Sequence, residues 1–436
     1  MDPLKSRLVS TAALLMFTWS CGAQTLVEAV KATLVFSPII KTDESNLEAA
    51  QELKAQARSG YLPTVDLLLG VGQERSDNTT TRANGWLGET ITRQERSLQV
   101  TQMLYDGFFT RNRVKEQNFV VQATAQRLFS TRENVSLRAA TAYLEILRRE
   151  QMVTLARENL QQHEDTLKKI EERFESGVGT KVDVVQTLGR RAQSKSNLLL
   201  SEKDLLNGRA EYFHVVGVNP YDLSLPSRPQ ELPITVEEAI ASAFDKNPRV
   251  RAVESDLQAA RALRKQINSA FQPRFDLVVG ATRNDDTDGS PGANDDETAV
   301  VRMSYNLFRG GADRARAREA DARIAAAEQA IVDLKQTLTQ DVTILWNELE
   351  DLNLRMEYLQ AHVTSTEEVL EVYKEQLALG KRTLLDLLDI QNELFRARSA
   401  YMIAEFGLRL AEYRILASSG TFLQSLGITS PQEEVR

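Results

Sequence analysis

Residues 63–72 read Pro-Thr-Val-Asp-Leu-Leu-Leu-Gly-Val-Gly, and residues 273–282 read Pro-Arg-Phe-Asp-Leu-Val-Val-Gly-Ala-Thr. The two stretches lie 210 positions apart and share Pro63/Pro273, Asp66/Asp276, Leu67/Leu277 and Gly70/Gly280. Extended outward, 25–72 aligns with 235–282 without a gap, with sixteen identities in 48 positions. These include Glu28/Glu238, Ala29/Ala239, Pro38/Pro248 and Leu47/Leu257. The likeness resumes at an offset of 203, where Gly107 meets Gly310, Arg111 meets Arg314, Gly177 meets Gly380, Thr180 meets Thr383 and Asp183 meets Asp386. The change of offset puts a seven-residue length difference between 73 and about 97, and such differences collect in exposed loops. The chain therefore reads as an internal two-fold repeat. The first copy is 24–217 and the second 235–420, with a C-terminal tail at 421–436. Between the copies, 218–234 holds Pro220, Pro226, Pro229 and Pro233 and reads as a linker.

The quoted stretches alternate with a period of two. Val65, Leu67, Leu69 and Val71 share one strand face, as do Phe275, Leu277, Val279 and Ala281. A second strand follows in each copy. Leu98, Val100 and Leu104 alternate with Ser97, Gln99, Thr101 and Met103. Within 299–307, Ala299, Val301, Met303, Tyr305 and Leu307 alternate with Val300, Arg302, Ser304 and Asn306. Runs of about ten residues, apolar on one face and bordered by aromatics such as Tyr61, Tyr105, Phe271 and Phe308, have the pattern of membrane-barrel strands. Four strands cannot close a membrane barrel, whose smallest members have eight, so the pattern requires several chains to share one barrel. The alternative is a pair of soluble hairpins, which bury too little apolar surface to stand alone.

After each strand pair comes a stretch of about 70 residues without proline, from about Gly107 to Ser176 and from Gly311 to Leu379. As helices these run ~105 Å at 1.5 Å per residue, the length of coiled-coil rods. In the second, apolar or small residues fall at 342, 345, 349, 352, 356, 359, 363, 366, 370, 373 and 377, alternately three and four apart. Upstream, 324, 327, 331, 334 and 338 keep the rule, and the step from Leu338 to Val342 is a stutter. Val153, Ala156, Leu160, Leu167, Ile170 and Phe174 form the matching seam of the first copy, with His163 in one slot. Flanking helices at about 25–59 and 181–216 together match one long helix in length. The fold class is mainly α with a small β part.

Lys5, Arg7, an apolar run from Leu8 to Trp19 and Cys21-Gly22-Ala23 make 1–23 an export signal, with the mature chain starting near Gln24. Trp19 fits poorly before a lipidated Cys21. No later stretch reaches the eighteen consecutive apolar residues of a membrane helix. The net charge of −8, with no dense basic block, argues against nucleic acid as a partner. One cysteine and the scattered His163, His214 and His362 offer no metal-ligand spacing, and the histidines read as solvated helix-surface side chains. No cofactor is expected. Without GxSxG, P-loop or zincin spacing, an enzyme is not expected either. The acidic segment from Asn284 to Glu297 reads as a solvated extracellular loop; its carboxylates lack EF-hand spacing. Ser76 to Asn84 reads as the polar loop of the other hairpin.

Gly380-Lys381-Arg382-Thr383-Leu384-Leu385-Asp386-Leu387-Leu388-Asp389, followed by Asn392-Glu393-Leu394-Phe395-Arg396-Ala397-Arg398, resembles the TolC family of outer-membrane channel tunnels. Gly177-Val178-Gly179-Thr180-Lys181-Val182-Asp183 echoes it, and Leu104-Tyr105-Asp106-Gly107 and Leu307-Phe308-Arg309-Gly310-Gly311 match at the strand ends. The resemblance covers nearly the whole mature chain. It implies a homotrimer with a twelve-stranded transmembrane β-barrel among outer-membrane lipid and long antiparallel helices forming an α-barrel through the periplasm of a Gram-negative cell. The implied partners are a periplasmic adaptor (membrane fusion) protein and an inner-membrane ABC transporter or proton-driven pump. By this resemblance Asp183, Arg382, Asp386 and Asp389 form the pore constriction, and Gly177, Val178, Gly179, Thr180, Gly380, Lys381 and Thr383 form the periplasmic tip that meets the adaptor. Some members carry a tyrosine near the position of Leu377. Asp386 and Asp389, three apart on a helix, share a face, and symmetry would turn each into a carboxylate ring that attracts cations. The Asp-Leu-Leu-Asp-Ile-Gln-Asn-Glu-Leu-Phe run and Tyr413-Arg414-Ile415-Leu416-Ala417 favour the type I secretion branch, which passes protein substrates including large adhesins. Efflux with a proton-driven pump is the alternative, and a periplasmic coiled-coil interaction protein is the alternative outside the channel class.

Overall fold

The computed structural model describes residues 23–229 and 231–428. The export signal apart from Ala23, Cys21, and the tail beyond 428 lie outside the described residues. The elements are α1 (Leu26–Phe36), α2 (Pro38–Ser59), β1 (Thr64–Glu74), α3 (Thr79–Ala83), β2 (Ile91–Tyr105), α4 (Phe109–Glu175) and α5 (Lys181–Val216) in the first half. The second half has α6 (Val236–Lys246), α7 (Pro248–Ile267), a 3-10 turn (Asn268–Phe271), β3 (Arg274–Thr287), β4 (Ser290–Ser304), α8 (Ala312–Ala378), α9 (Leu384–Ser419) and α10 (Phe422–Ser425). The numbering of the elements obeys the repeat. α1 and α6 start and end 210 apart; α4 and α8, and α5 and α9, start and end 203 apart. No helix among the described residues is long and apolar enough to cross a membrane.

The expected single helix over 25–59 is two helices, broken before Pro38, and its counterpart breaks before Pro248. Ser37 and Asn247 hold extended backbone at ψ 119° and 123°. A proline ring pushes the residue before it out of the helical region and removes an N–H, so one helix ends and another starts with proline in its first turn.

The chain forms two compact units, each drawing on both repeats. Of the described residues, one comprises 23–36, 138–228 and 356–406; the other comprises 37–137, 229, 231–355 and 407–428. In the first, Val153, Ala156, Leu160 and Leu198 pack with Leu205 and Phe395. Leu370, Leu387, Ile390 and Leu394 pack with Tyr373 and Leu377. In the second, Leu334 and Leu338 of α8 pack on Val250 of α7, and Val342 packs on Ala239 and Ala243 of α6. The stutter at Leu338–Val342 thus falls where α8 changes partner from α7 to α6. The extra residue resets the apolar stripe where α8 passes the break between α7 and α6 at Pro248. One expectation for a histidine and one for the seam differ. His163 is buried instead of lying on the surface, and burial, aided by the nearby charge of Arg190, lowers its pKa. Phe174, in the last turn of α4, is exposed.

The strands form one antiparallel sheet in the order β1-β2-β3-β4. The acidic segment expected as a loop is strand on both sides of a tight hairpin: 284–287 belong to β3 and 290–297 to β4. Asp288 and Gly289, at φ +55° and +72°, make the two-residue turn between Thr287 and Ser290. Two left-handed residues match the twist of an antiparallel pair, which is why Asp-Gly serves there. The Ser76–Asn84 segment contains the short α3, whose Asn78 cap accepts from Thr81 N–H at 2.9 Å. Asn78 Nδ2 also donates to Asp288 O at 2.7 Å, tying the two hairpin ends together. β4 stops at Ser304, short of the expected 307. The matching end of β2, Gln102–Tyr105, is held by β3, and 305–308 have no such partner among the described residues.

In the second unit the buried Glu133 of α4 accepts from the N–H groups of Phe422 and Leu423, each at 3.2 Å, and so clasps the start of α10. Burial outweighs these bonds and pushes its carboxyl from the ordinary 4.5 up to about 7. Between those values the folded chain holds a proton that the unfolded chain releases, so this group's contribution to stability grows as pH falls through the window. Glu133→Gln removes that term. Thermal unfolding at about pH 8 and about pH 5 is expected to show the wild type gaining up to about 3 kcal/mol relative to the variant on acidification. Parallel pH profiles would refute the assignment.

Candidate functional site

The turns that follow the two long helices have the same construction. Gly177 takes φ +77°, its N–H donates to Phe174 O at 3.0 Å, and Val178 N–H donates to Arg173 O at 3.0 Å. Gly380 takes φ +69°, with N–H to Leu377 O at 3.1 Å and Lys381 N–H to Gln376 O at 2.9 Å. This pair of bonds satisfies the last helical carbonyls and needs a left-handed residue, the conformation glycine adopts without cost to a Cβ.

The chain then restarts as helix. Thr180 N–H and Oγ1 donate to Asp183 Oδ2 at 3.1 and 2.8 Å, and Asp183 N–H donates to Thr180 Oγ1 at 3.2 Å. Thr383 and Asp386 repeat the set at 3.2, 2.8 and 3.3 Å. Each Thr–Asp pair is a capping box closing a helix N-terminus, where a carboxylate also opposes the positive end of the helix dipole. The Thr383 hydroxyl and N–H, with Arg382 nearby, hold the Asp386 carboxyl below the ordinary carboxylate range. Both donors fall on Oδ2, so each Oδ1 has no hydrogen-bond partner among the described residues.

The other charges are held by residues that sequence reasoning did not single out. Arg382 lies over the ring of Tyr373 at 4.4 Å, donates Nε to Gln376 Oε1 at 3.0 Å and sits 3.8 Å from Asp386 Oδ2. The aromatic partner is thus one turn before Leu377, on the same helix face. Arg190 of α5 donates to Asp389 Oδ1 at 2.7 Å and joins α5 to α9. The available signal for Arg190 was its spacing of seven from Asp183, which puts both on one face of α5. Arg382 and Asp386 are brought together; Asp183 meets only its cap, and Asp389 meets Arg190. A Cβ on Gly179 would lie 3.0 Å from Phe174 N, so a side chain fits the first turn only if the backbone gives way, where the second turn carries Arg382. Around the turns Val178, Val182, Val185 and Leu379 are exposed.

Thr180→Ala and Thr383→Ala are each expected to cost about 1 kcal/mol and to speed amide exchange at the starts of α5 and α9 roughly fivefold. Hydrogen–deuterium exchange read by mass spectrometry on those two segments checks this. An unchanged rate would mean the boxes do not hold the turns.

The sheet carries the second set of features. Its register places Val65, Val100, Val279 and Ala299 in one row, Leu67, Leu98 and Ala281 in the next, and Leu277 and Val301 alongside, all on one face. The opposite face has Asp66, Gln99, Gly280 and Thr298 in one row, and Leu68, Ser97, Thr282 and Asp296 in another. Val65, Leu67, Leu69, Val71, Val301 and Met303 are all at least 60% exposed, so the apolar face is uncovered. Gln102 shares the row of Leu277 and Val301, the Leu67 row ends on Glu297 of β4, and the next row turns polar at Arg96, Arg283 and Asp295, which limits the height of the apolar band.

A family model described as outer membrane efflux protein matches 29–217 and 239–421, taking in both halves of the repeat. The outer membrane efflux protein BepC of Brucella suis is 26% identical to this chain, over 95% of it and 90% of that protein. The alkaline protease secretion protein AprF of Pseudomonas aeruginosa is 24% identical over 91% and 86%. The crystal structure of the outer membrane protein VceC from Vibrio cholerae shares the fold at a TM-score of 0.75, with 17% identity, covering 92% of this chain and 96% of that one. With both repeats matched and the fold shared along their length, this chain belongs to the outer membrane efflux protein family: it is a TolC-type channel protein of the outer membrane that extends into the periplasm, with the family and fold of a channel and not of an enzyme.

Proposed function

We propose that three copies of this chain close one twelve-stranded barrel and serve as the exit duct of a type I secretion system. The observation that carries this reading is the open sheet, with an uncovered apolar face and its two outer strands, β1 and β4, each paired on one side only. In lipid every backbone N–H and C=O needs a partner, so such edges must close on further strands. Outer-membrane lipid covers the apolar face, and the polar face lines the channel. In this reading Gly177, Val178, Gly179, Thr180, Gly380, Lys381 and Thr383 form the periplasmic tip, where the exposed Val178 and Leu379 meet an adaptor protein that links the duct to an inner-membrane ABC transporter. Asp183, Asp386 and Asp389 become carboxylate rings at the constriction, with Arg382 and Arg190 holding neighbouring helices. The AprF relative supports secretion of protein, and in this reading the cargo is a protein of the large-adhesin kind. Efflux with a proton-driven pump is the second reading, favoured by the family description and by BepC.

Native mass spectrometry of outer-membrane extract in mild detergent is expected to give three times the mature chain mass, and a soluble monomer would sink the duct. In planar bilayers Asp389→Asn is expected to reduce the preference for cations, seen as a reversal potential moved toward zero in a salt gradient. An unmoved potential would remove Asp389 from the constriction. Deletion of the gene separates the two uses: loss of a large protein from the medium with unchanged drug sensitivity supports secretion, and the reverse pattern supports efflux.

A further inference from the structure

The internal repeat contains a template for the contact between copies. Translating β1 by 210 and β2 by 203 turns the β1–β2 ladder into the β3–β4 ladder. Val65↔Val100 becomes Phe275↔Met303, Asp66↔Gln99 becomes Asp276↔Arg302, and Gly70↔Glu95 becomes Gly280↔Thr298, and all three pairs are present. The repeat is therefore obeyed by the pairing as well as by the residues. The chain also holds one junction between its two hairpins, β2 against β3. In a closed ring of identical chains the only other kind of junction is β4 of one copy against β1 of the next. By the same offsets that junction is equivalent to β2 against β3.

Resting on the shared-barrel reading above, we infer that the seam between copies has the register of β2–β3. Thr101↔Val278, Val100↔Val279 and Gln102↔Leu277 translate to Ser304 facing Leu68 of the next copy, Met303 facing Leu69 and Tyr305 facing Leu67. Two observations support this register independently. It keeps the faces, with Met303 and Leu69 both on the apolar side and Ser304 and Leu68 both on the polar side; a slip of one residue would invert one strand against the other. It also explains why β4 stops at Ser304 while β2 runs to Tyr105. The backbone of 305–308 is the counterpart of a segment paired to β3, and its partner lies in the next copy. Leu307 and Phe308, 86% and 82% exposed in the single chain, sit at this unfinished end.

The test is disulfide cross-linking in the full-length exported protein. Ser304→Cys is combined in turn with Asp66→Cys, Leu68→Cys or Gly70→Cys, with each single-cysteine variant as the control. Residues directly opposite in an antiparallel pair have Cα atoms ~4.5–5.5 Å apart, within disulfide reach, and a shift of two residues moves them to about 8 Å, beyond the ~7 Å limit. The expected result is a covalent ladder to trimer on non-reducing gels for Ser304→Cys with Leu68→Cys, roughly tenfold above either shifted pair. Native mass spectrometry of the same samples separates the two levels of the idea. A trimer that cross-links best through Asp66→Cys or Gly70→Cys overturns the register and leaves the shared barrel standing. A monomer overturns both.

Discussion

The structure turns on the hydrogen-bonding capacity of two strand edges. β2 and β3 each pair on both sides; β1 and β4 each leave one row of N–H and C=O groups without a strand partner among the described residues. In water such an edge is an invitation to aggregation, and in a bilayer it is not tolerated. The uncovered apolar face adds a second demand, because Val65, Leu67, Leu69 and Val71 are largely exposed among the described residues. Lipid satisfies the face, and only further strands satisfy the edges. The proposed assembly answers both with one geometry.

The repeat accounts for much of the rest. Helices with matching ends, equivalent ladders and equivalent turns follow from one plan used twice. The departures are concentrated where they do least harm to the plan. The seven-residue difference is absorbed between strands, where one hairpin carries the capped α3 and the other closes on Asp288-Gly289. The prolines at 38 and 248 break corresponding helices at corresponding points, and in α8 the stutter lies where the partner helix changes.

At the turns the two copies share a scaffold and differ in charge. Both use a left-handed glycine to end one helix and a Thr–Asp box to begin the next. Onto that scaffold the second copy adds Arg382 where the first has Gly179, and Asp389 where the first has Gln186. Arg190, whose counterpart is Glu393, then pairs with Asp389 across the two copies. The capping boxes use one oxygen of each aspartate and leave the other free, so a structural role and a role facing the channel are compatible in Asp183 and Asp386.

Features with a local physical signature were legible in the sequence. Period-two alternation marked the four strands, three-four spacing marked the long helices, and the glycines marked their ends, because each pattern records which side of a single element meets water. The glycine turns with their Thr–Asp boxes were legible as a duplicated motif. What tertiary structure decided were matters of partnership. Asn284 to Glu297 is charged enough to look like a loop, yet a two-residue turn lets it continue the β3–β4 ladder. His163 is buried as its seam spacing, and not its polarity, dictates, whereas Phe174 keeps the seam spacing and is exposed, because burial also depends on which helix lies opposite. Tyr373 under Arg382 and Arg190 on Asp389 follow the same rule. The sequence by itself determined the elements, their order and their duplication; the tertiary structure decided which side chains meet, since a pairing between distant residues depends on a register and a neighbour that no single element encodes.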